Sequence, residues 1–264
     1  MKLSFRPKHG LFAAVCVLAL VLAAGSATAQ IVNVQPILGA SDDDGLTVEL
    51  GGSVDYKTGN VDLLLARGSV LGLYRSGDHR VISSSMGEVG IKDDAEFLER
   101  VFTHLRWQWS VNEWLTWETY GQVASDEYKS LALRALAGTG ARIELVTGPA
   151  VSAAVGLAYM FEHEETIGVA GADGVTSDNH RASLYVTGKF AVSPLLSLLN
   201  TTYYQPRVDA FLDDFRVASE TTLNVMLTKK LALSLGWNIA YDSEPPAGAE
   251  SLDSATRVAL KLSI

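Results

Sequence analysis

Over residues 46–57 apolar and polar side chains alternate almost without a break: Leu46, Val48, Leu50, Val54 and Tyr56 against Thr47, Glu49, Ser53, Asp55 and Lys57. A period of two is the mark of a strand with one apolar and one polar face, and a helix of 3.6 residues per turn cannot present it. Residues 151–162 repeat it, with Val151, Ala153, Val155, Leu157, Tyr159 and Phe161 opposed to Ser152, Ala154, Gly156, Ala158 and Glu162. Residues 231–242 give a third clear case, Leu231, Leu233, Leu235, Trp237, Ile239 and Tyr241 against Ala232, Ser234, Gly236, Asn238, Ala240 and Asp242. Weaker versions run through 61–74, 79–90, 96–109, 114–126, 129–146, 179–192, 195–206, 215–228 and 253–264. The pattern predicts about twelve strands, each long enough to cross a bilayer's hydrocarbon when tilted.

Ahead of these strands stands a different kind of segment. Lys2, Arg6 and Lys8 precede an apolar run over 11–24, and Ala27-Thr28-Ala29 offers small residues at the spacing a signal peptidase needs. Residues 1–29 are therefore expected to be a cleavable signal peptide and 30–264 a single domain. The apolar run is shorter than the roughly twenty residues of a spanning helix. The only cysteine, Cys16, lies inside it, so the expected mature chain has no thiol chemistry. Removing the three cations of the leader from the 21 basic residues leaves 18 against 30 acidic ones. Such a surface repels phosphate backbones, so no nucleic-acid partner is expected.

Both all-β readings must say where the apolar face points. In a soluble barrel or sandwich it points inward. In a membrane barrel it meets lipid, and the other face packs small and charged residues into a polar lumen. Here the second face is rich in Gly, Ala, Ser and Thr, and it carries charges of both signs. On neighbouring strands Arg100, Arg106, Arg134, Arg142, Arg257 and Lys261 against Glu118, Glu144 and Glu220 are the candidate lumen lining, with His104 in an ion pair or hydrogen bond beside them. The expected connections sort by parity. Those at 75–78, 110–113, 147–149, 193–194 and 229–230 are short, whereas 163–178, 207–214 and 243–252 are long. Short turns on one side and long loops on the other are the habit of outer-membrane barrels. Trp107, Trp109 and Trp117 flank the turn at 110–113 on the apolar face, where an interfacial girdle belongs. The expected fold is a transmembrane up-and-down antiparallel β-barrel of about 12 strands.

Three segments resemble one family. Tyr56-Lys57-Thr58-Gly59-Asn60-Val61-Asp62 is similar to its early T-G-N-x-D turn. Residues 106–128 resemble its two strands around a short turn that end in an acidic and aromatic loop. Asp242-Ser243-Glu244-Pro245-Pro246-Ala247-Gly248, followed by Asp253, resembles its S-x-P-P-x-G segment. The family is the YdiY-type salt-induced outer membrane protein group, a domain of unknown function. The resemblance implies an outer-membrane β-barrel in a Gram-negative bacterium and implies no reaction. Its expected partners are outer-membrane lipid and the barrel-assembly machinery during insertion. The chain departs from the usual aromatic ending of such barrels, closing on Leu260-Lys261-Leu262-Ser263-Ile264.

Candidate chemistry is sparse. His163, Glu164, Glu165 and His180 could gather a metal at a loop mouth, but a solvated acidic loop is the favoured reading. Asp42-Asp43-Asp44-Gly45 lacks the alternate spacing and distal Glu of a calcium loop. No phosphate-cradling glycine loop, HExxH or nucleophile elbow occurs. No catalytic residue, cofactor or metal site is assigned, and the expected function is a non-enzymatic barrel with a structural or narrow channel-like role. Two alternatives stay open: an outer-membrane lipid-modifying enzyme, and a soluble periplasmic β-barrel that binds an apolar ligand.

Overall fold

Strands with unlike faces form a sheet that must shelter one face, and a long meander does so by curling on itself. The computed structural model describes residues 44–58, 62–93, 95–168, 173–228, 231–245 and 250–262. The expected signal segment 1–29 lies outside the described residues. Among the described residues twelve strands follow one another: β1 (Gly45–Lys57), β2 (Leu63–Ser76), β3 (His79–Lys92), β4 (Ala95–Ser110), β5 (Leu115–Asp126), β6 (Leu131–Thr147), β7 (Val151–Thr166), β8 (Thr176–Ser193), β9 (Leu196–Pro206), β10 (Phe215–Met226), β11 (Leu231–Asp242) and β12 (Leu252–Leu262). They form one sheet in the order β1 to β12, each antiparallel to the next. Every strand expected from the alternation is present, with ends moved by a few residues.

The largest movement is at β7 and β8. The acidic run after Phe161 suggests a loop over 163–178, but the ladder continues through His163↔Asp178 and Glu164↔Ser177. The connection is only 167–175, because backbone pairing carries a strand past the end of its apolar pattern. Likewise the last connection is 243–251. The long connections still fall after β7, β9 and β11, and those after even-numbered strands are tight.

Local chemistry fixes the tight turns. Gly77 takes φ +56°, a conformation that glycine adopts without steric cost, in the two-residue link between β2 and β3. The Asn112 side chain accepts from the backbone N–H groups of Trp114 (3.0 Å) and Leu115 (2.9 Å), closing the link to β5. A single 3-10 turn, Glu127–Lys129, joins β5 to β6 and ends at Ser130 with φ +54°.

Cross-sheet contacts show that the sheet curls. Arg216 on β10 donates to Glu164 on β7 at 2.9 Å, and the Tyr185 hydroxyl on β8 donates to Glu118 on β5 at 2.8 Å. Each contact skips three strand spacings, about 14 Å on a flat sheet. Lys129 after β5 reaches Asp253 on β12, which a flat sheet would place about 30 Å away. No ladder between β1 and β12 is found among the described residues, which leaves these two strands as the seam.

Candidate functional site

Parity along the strands decides which side chains enter the curl. On β7 and β11, Leu157 (59% exposed) and Leu235 (41%) point outward, while Glu162 (1%) and Ser234 (6%) point inward. The outward set is mainly apolar and includes Leu50, Leu105, Val123, Val186 and Val258, all exposed. The inward set contains Arg100, His104, Arg106, Glu118, Arg134, Arg181 and Arg216, all buried. A soluble barrel with its apolar face inward is thereby excluded: the polar face is the sheltered one.

Two ionic clusters lie in the interior. Towards the long loops, Glu162 lies among three guanidinium groups, those of Arg216 (2.6 Å), Arg181 (3.0 Å) and Arg134 (3.6 Å). Glu164 binds Arg134 at 2.7 Å and Arg216 at 2.9 Å. Asp242 takes Arg216 Nε at 2.7 Å, and Asp214 takes Arg181 at 2.8 Å. Beside this cluster Arg100 bridges Asp126 (2.8 Å) and Glu88 (3.6 Å), and Glu88 also takes Arg67 at 2.5 Å. Towards the tight turns, Glu118 accepts from Gln108 (2.5 Å), Tyr185 (2.8 Å) and Arg106 (3.3 Å), while Arg142 pairs with Glu144 at 2.5 Å. Buried ion pairs add little net stability over a packed apolar core, but removing one partner strands a charge and costs about 3–5 kcal/mol. Such a ladder therefore favours this one arrangement of strands over its rearrangements.

Aromatic rings separate the clusters. The His104 ring stacks between Phe102 (6.5 Å) and Tyr120 (6.0 Å), and the Arg106 guanidinium lies 5.0 Å over the Tyr120 ring. The Tyr185 and Tyr203 rings meet at 5.3 Å. Room for these rings comes from glycines directly opposite: Tyr120↔Gly138 and Tyr185↔Gly156. A Cβ at Gly156 would run into the Tyr185 ring, and one at Gly138 would lie 2.5 Å from that of Tyr120. Between the rings lies a cavity of about 30 Å³ bounded by His104, Tyr120, Tyr203, Arg106 and Glu162, room for about one water, whereas a wider space of about 780 Å³ opens along β1 to β4 beside Arg67, Glu88 and Arg100, and one of about 120 Å³ lies by Arg142 and Glu144. The ring nitrogens of His104 and the hydroxyls of Tyr120 and Tyr203 make no hydrogen bond of good geometry. Ring stacking is a contact of His104 that the sequence did not show, and Gln122 stands opposite it in the ladder.

Of the candidate lining, the structure brings Arg100, Arg106, Arg134, Arg142, Glu118 and Glu144 into these clusters. Glu220 shares their face, half-buried, opposite Thr201 and Asn238. On β12, Arg257 and Lys261 pair in register with Gly236 and Ala232; their side chains lie outside the described residues. The expectation missed Glu162, Glu164, Arg181, Arg216, Asp126, Asp214 and Asp242. The signal for Arg216 was at hand, since it has the parity of Glu220 on the same strand.

The histidines weighed for a metal are engaged otherwise. His163 Nδ1 is 2.6 Å from Asp178 and Nε2 3.2 Å from Glu165, so neither nitrogen is left to activate a serine or threonine; His180 pairs with the Tyr159 hydroxyl. Among the described residues no three His, Cys, Asp or Glu side chains are grouped to hold a metal.

Outward aromatic rings gather at both ends. Trp107, Trp109, Trp114, Trp117 and Phe190 ring the tight turns, with His79 stacked on Trp107 at 5.7 Å. Tyr159, Phe161, Tyr204, Phe215 and Tyr241 ring the long loops, Phe215 lying 5.5 Å from Tyr204 and 5.7 Å from Tyr241. Phe161 stands opposite His180, and Phe190 follows ten residues later on β8. That interval is about 33 Å along a strand, or about 25 Å of height at a 40° tilt.

A family model described as protein of unknown function, DUF481, matches residues 48–264, a stretch that contains all three segments behind the resemblance read from the sequence. Among solved structures, the chain is similar to the porin NanC, with 10% identity, TM-score 0.49, and coverage of 83% of this chain and 100% of that one. It is also similar to the translocator domain of the autotransporter NalP from Neisseria meningitidis, with 10% identity, TM-score 0.44, and coverage of 96% and 97%. The β domain of the Bordetella autotransporter BrkA follows at 7% identity and TM-score 0.38, with 83% and 98% covered. No curated protein matches the chain.

Proposed function

Because the chain belongs to the DUF481 family of proteins of unknown function, we propose that it is a non-enzymatic integral barrel of the Gram-negative outer membrane whose lumen is sealed by its own charges. The observation that carries this reading is the inversion of faces: leucines, valines and tryptophans outward, arginine–carboxylate clusters inward. Only a hydrocarbon surrounding makes that inversion favourable, since water would leave a broad apolar surface exposed. The two aromatic rings stand apart by about the 25 Å height of a membrane apolar band. Lipid is then the partner on the outside, and the barrel-assembly machinery supplies the route of insertion behind a cleaved signal peptide.

A narrow or sealed lumen is favoured over a wide channel because the bonds of Glu118, Glu162 and Glu164 cross between β5 and β8 and between β7 and β10 at two heights, with the rings of Tyr120, Tyr185 and Tyr203 between them, which leaves the open space to the β1–β4 side. Twelve strands also fall short of the sixteen to eighteen of wide porins. The role is structural, a rigid element of the envelope. The test has two arms. The mature protein should sediment with outer membranes and migrate anomalously on denaturing gels when unboiled; recovery in a salt-washed periplasmic fraction defeats the membrane reading. In planar bilayers it should give no large stable conductance steps; steps of porin size defeat the sealed lumen alone.

A further inference from the structure

The outward face of β9 and β10 breaks its own rule at mid-height. Asn200, Thr202, Ser219 and Thr221 all point outward there, in the ladder pairs Thr202↔Ser219 and Asn200↔Thr221. Towards the long loops the same face continues as Tyr204, Val217 and Phe215, and towards the tight turns as Leu198, Leu223, Leu196 and Val225. The depth is central: Val186, opposite Thr202, lies six residues from His180 and four from Phe190 on β8. Elsewhere on the described outward face the mid-height interruptions are hydroxyls without an amide, such as the pairs Thr119 with Thr139 at 3.0 Å and Thr103 with Ser85 at 3.2 Å. In the first of these pairs both protons are placed, since Thr139 also donates to the Glu118 carbonyl at 3.1 Å, whereas an amide brings more donors and acceptors than one neighbour can meet.

Within the patch most hydrogen-bonding capacity is used. Asn200 Nδ2 donates to Thr221 Oγ1 at 2.8 Å and to Ser219 Oγ at 3.2 Å. Thr202 donates to Asn200 Oδ1 at 3.2 Å, and Thr202 and Ser219 share a bond at 2.9 Å. Two capacities are left over. Asn200 Oδ1 has a second lone pair, and the Thr221 hydroxyl, which accepts from Asn200, has its own proton to give. Hydrocarbon can satisfy neither. One is a donor and the other an acceptor, side by side, so a two-fold axis through the patch joins each Thr221 hydroxyl to the other copy's Asn200 twice over. The flanking residues permit close approach: Gly188 stands opposite Asn200, and Ala153 opposite Gly188. Contacts between helices inside membranes likewise combine small residues with Ser, Thr and Asn.

We infer that the β9–β10 outward patch is the contact through which two copies of this chain pair in the membrane, with Trp237, opposite Thr221 and half-exposed, at its rim. The inference rests on the reading that the outward face meets hydrocarbon. The experiment uses the full mature chain, which carries no cysteine of its own if cleavage follows Ala29. Val186→Cys, beside the patch, and Val123→Cys, exposed on β5 and far from it, are treated in outer-membrane vesicles with a short bifunctional maleimide. Dimers are expected from Val186→Cys and at least ten-fold fewer from Val123→Cys. Light scattering in mild detergent should give the mass of two chains. Combining Asn200→Leu, Thr202→Val, Ser219→Ala and Thr221→Val should cut the dimer yield at least ten-fold while the unboiled gel shift persists, because these changes make the surface more lipid-like. A single-chain mass, equal yields at the two cysteines, or a dimer that survives the four replacements overturns the inference. Absence of the chain from outer membranes would instead overturn the membrane reading.

Discussion

The wall formed by β4 to β10 and the edge formed by β1 are built on the same alternation and filled in opposite ways. In the wall, inward positions carry Phe102, Arg106, Tyr120, Glu162, Tyr185 and Arg216, and every one is buried. At the edge, β1 turns Thr47, Gly51, Ser53 and Asp55 inward, and all four are exposed. Glycines differ in the same direction. Gly138 and Gly156 lie under tyrosine rings, whereas Gly68 and Gly87, paired across β2 and β3 on the outward face, would have nothing within 4 Å of an added Cβ. The lesson is that alternation decides which face shelters, while side-chain volume decides which part of the sheet is rigid. Large side chains of the wall cross the lumen and need small ones to receive them, and an edge strand with small inward residues gains little from packing.

Three paired substitutions and one titration can break or sharpen that contrast. Glu162→Leu should have the largest effect. It leaves Arg134, Arg181 and Arg216 short of a buried carboxylate, at a cost of about 3–5 kcal/mol, while Asp55→Leu on β1 should stay within about 0.5 kcal/mol. Urea unfolding in vesicles measures both, and equal losses would erase the distinction between wall and edge. On the proposal that the outward faces of both regions meet hydrocarbon, Leu157→Arg and Leu50→Arg should each cost about 2–4 kcal/mol; a harmless Leu50→Arg would place β1 outside the membrane. Gly156→Val should cost about 1–3 kcal/mol by pushing against the Tyr185 ring, with Gly68→Ala near neutral, read from the same unfolding curves.

The smallest effect concerns the connection 207–214. Arg207 donates to Asp209 at 2.7 Å and holds its carboxyl below the usual carboxylate range. A depressed folded value means that the bond's contribution is present above the unfolded carboxyl's pKa near 3.9 and is lost as pH falls through the folded one. An NMR titration should show the Asp209 midpoint rising towards its ordinary value in Arg207→Gln. An unchanged midpoint would show that Arg207 does not hold Asp209.

Strand number and face assignment were legible because they depend on period and parity, which are local. Trp107, Trp109 and Trp117 are outward as their parity required, and Arg100, Arg106, Arg134 and Glu118 are inward for the same reason. The partners of those charges were not legible. Arg142–Glu144 could be guessed from neighbouring inward positions on one strand, but Arg216–Glu162 joins strands three places apart and depends on how tightly the sheet curls. The stacking of His104 depended on Phe102 and Tyr120 sharing its level, which follows from register and not from parity. Glu164 was hidden by an acidic run that looked like a loop, because the ladder holding it continues into polar residues.

The cross-lumen bonds also imply an order of events in time. Each strand pairs only with its chain neighbour, so hairpins can zip one after another with short loop closures. Arg216 and Glu164 are 52 residues apart, and Lys129 and Asp253 are 124 apart; their bonds must wait until the meander has bent. The ionic ladder is therefore a late lock. Loosening it should leave the rate of insertion nearly unchanged and should quicken escape from the finished state, so the barrel's endurance resides in its unfolding rate.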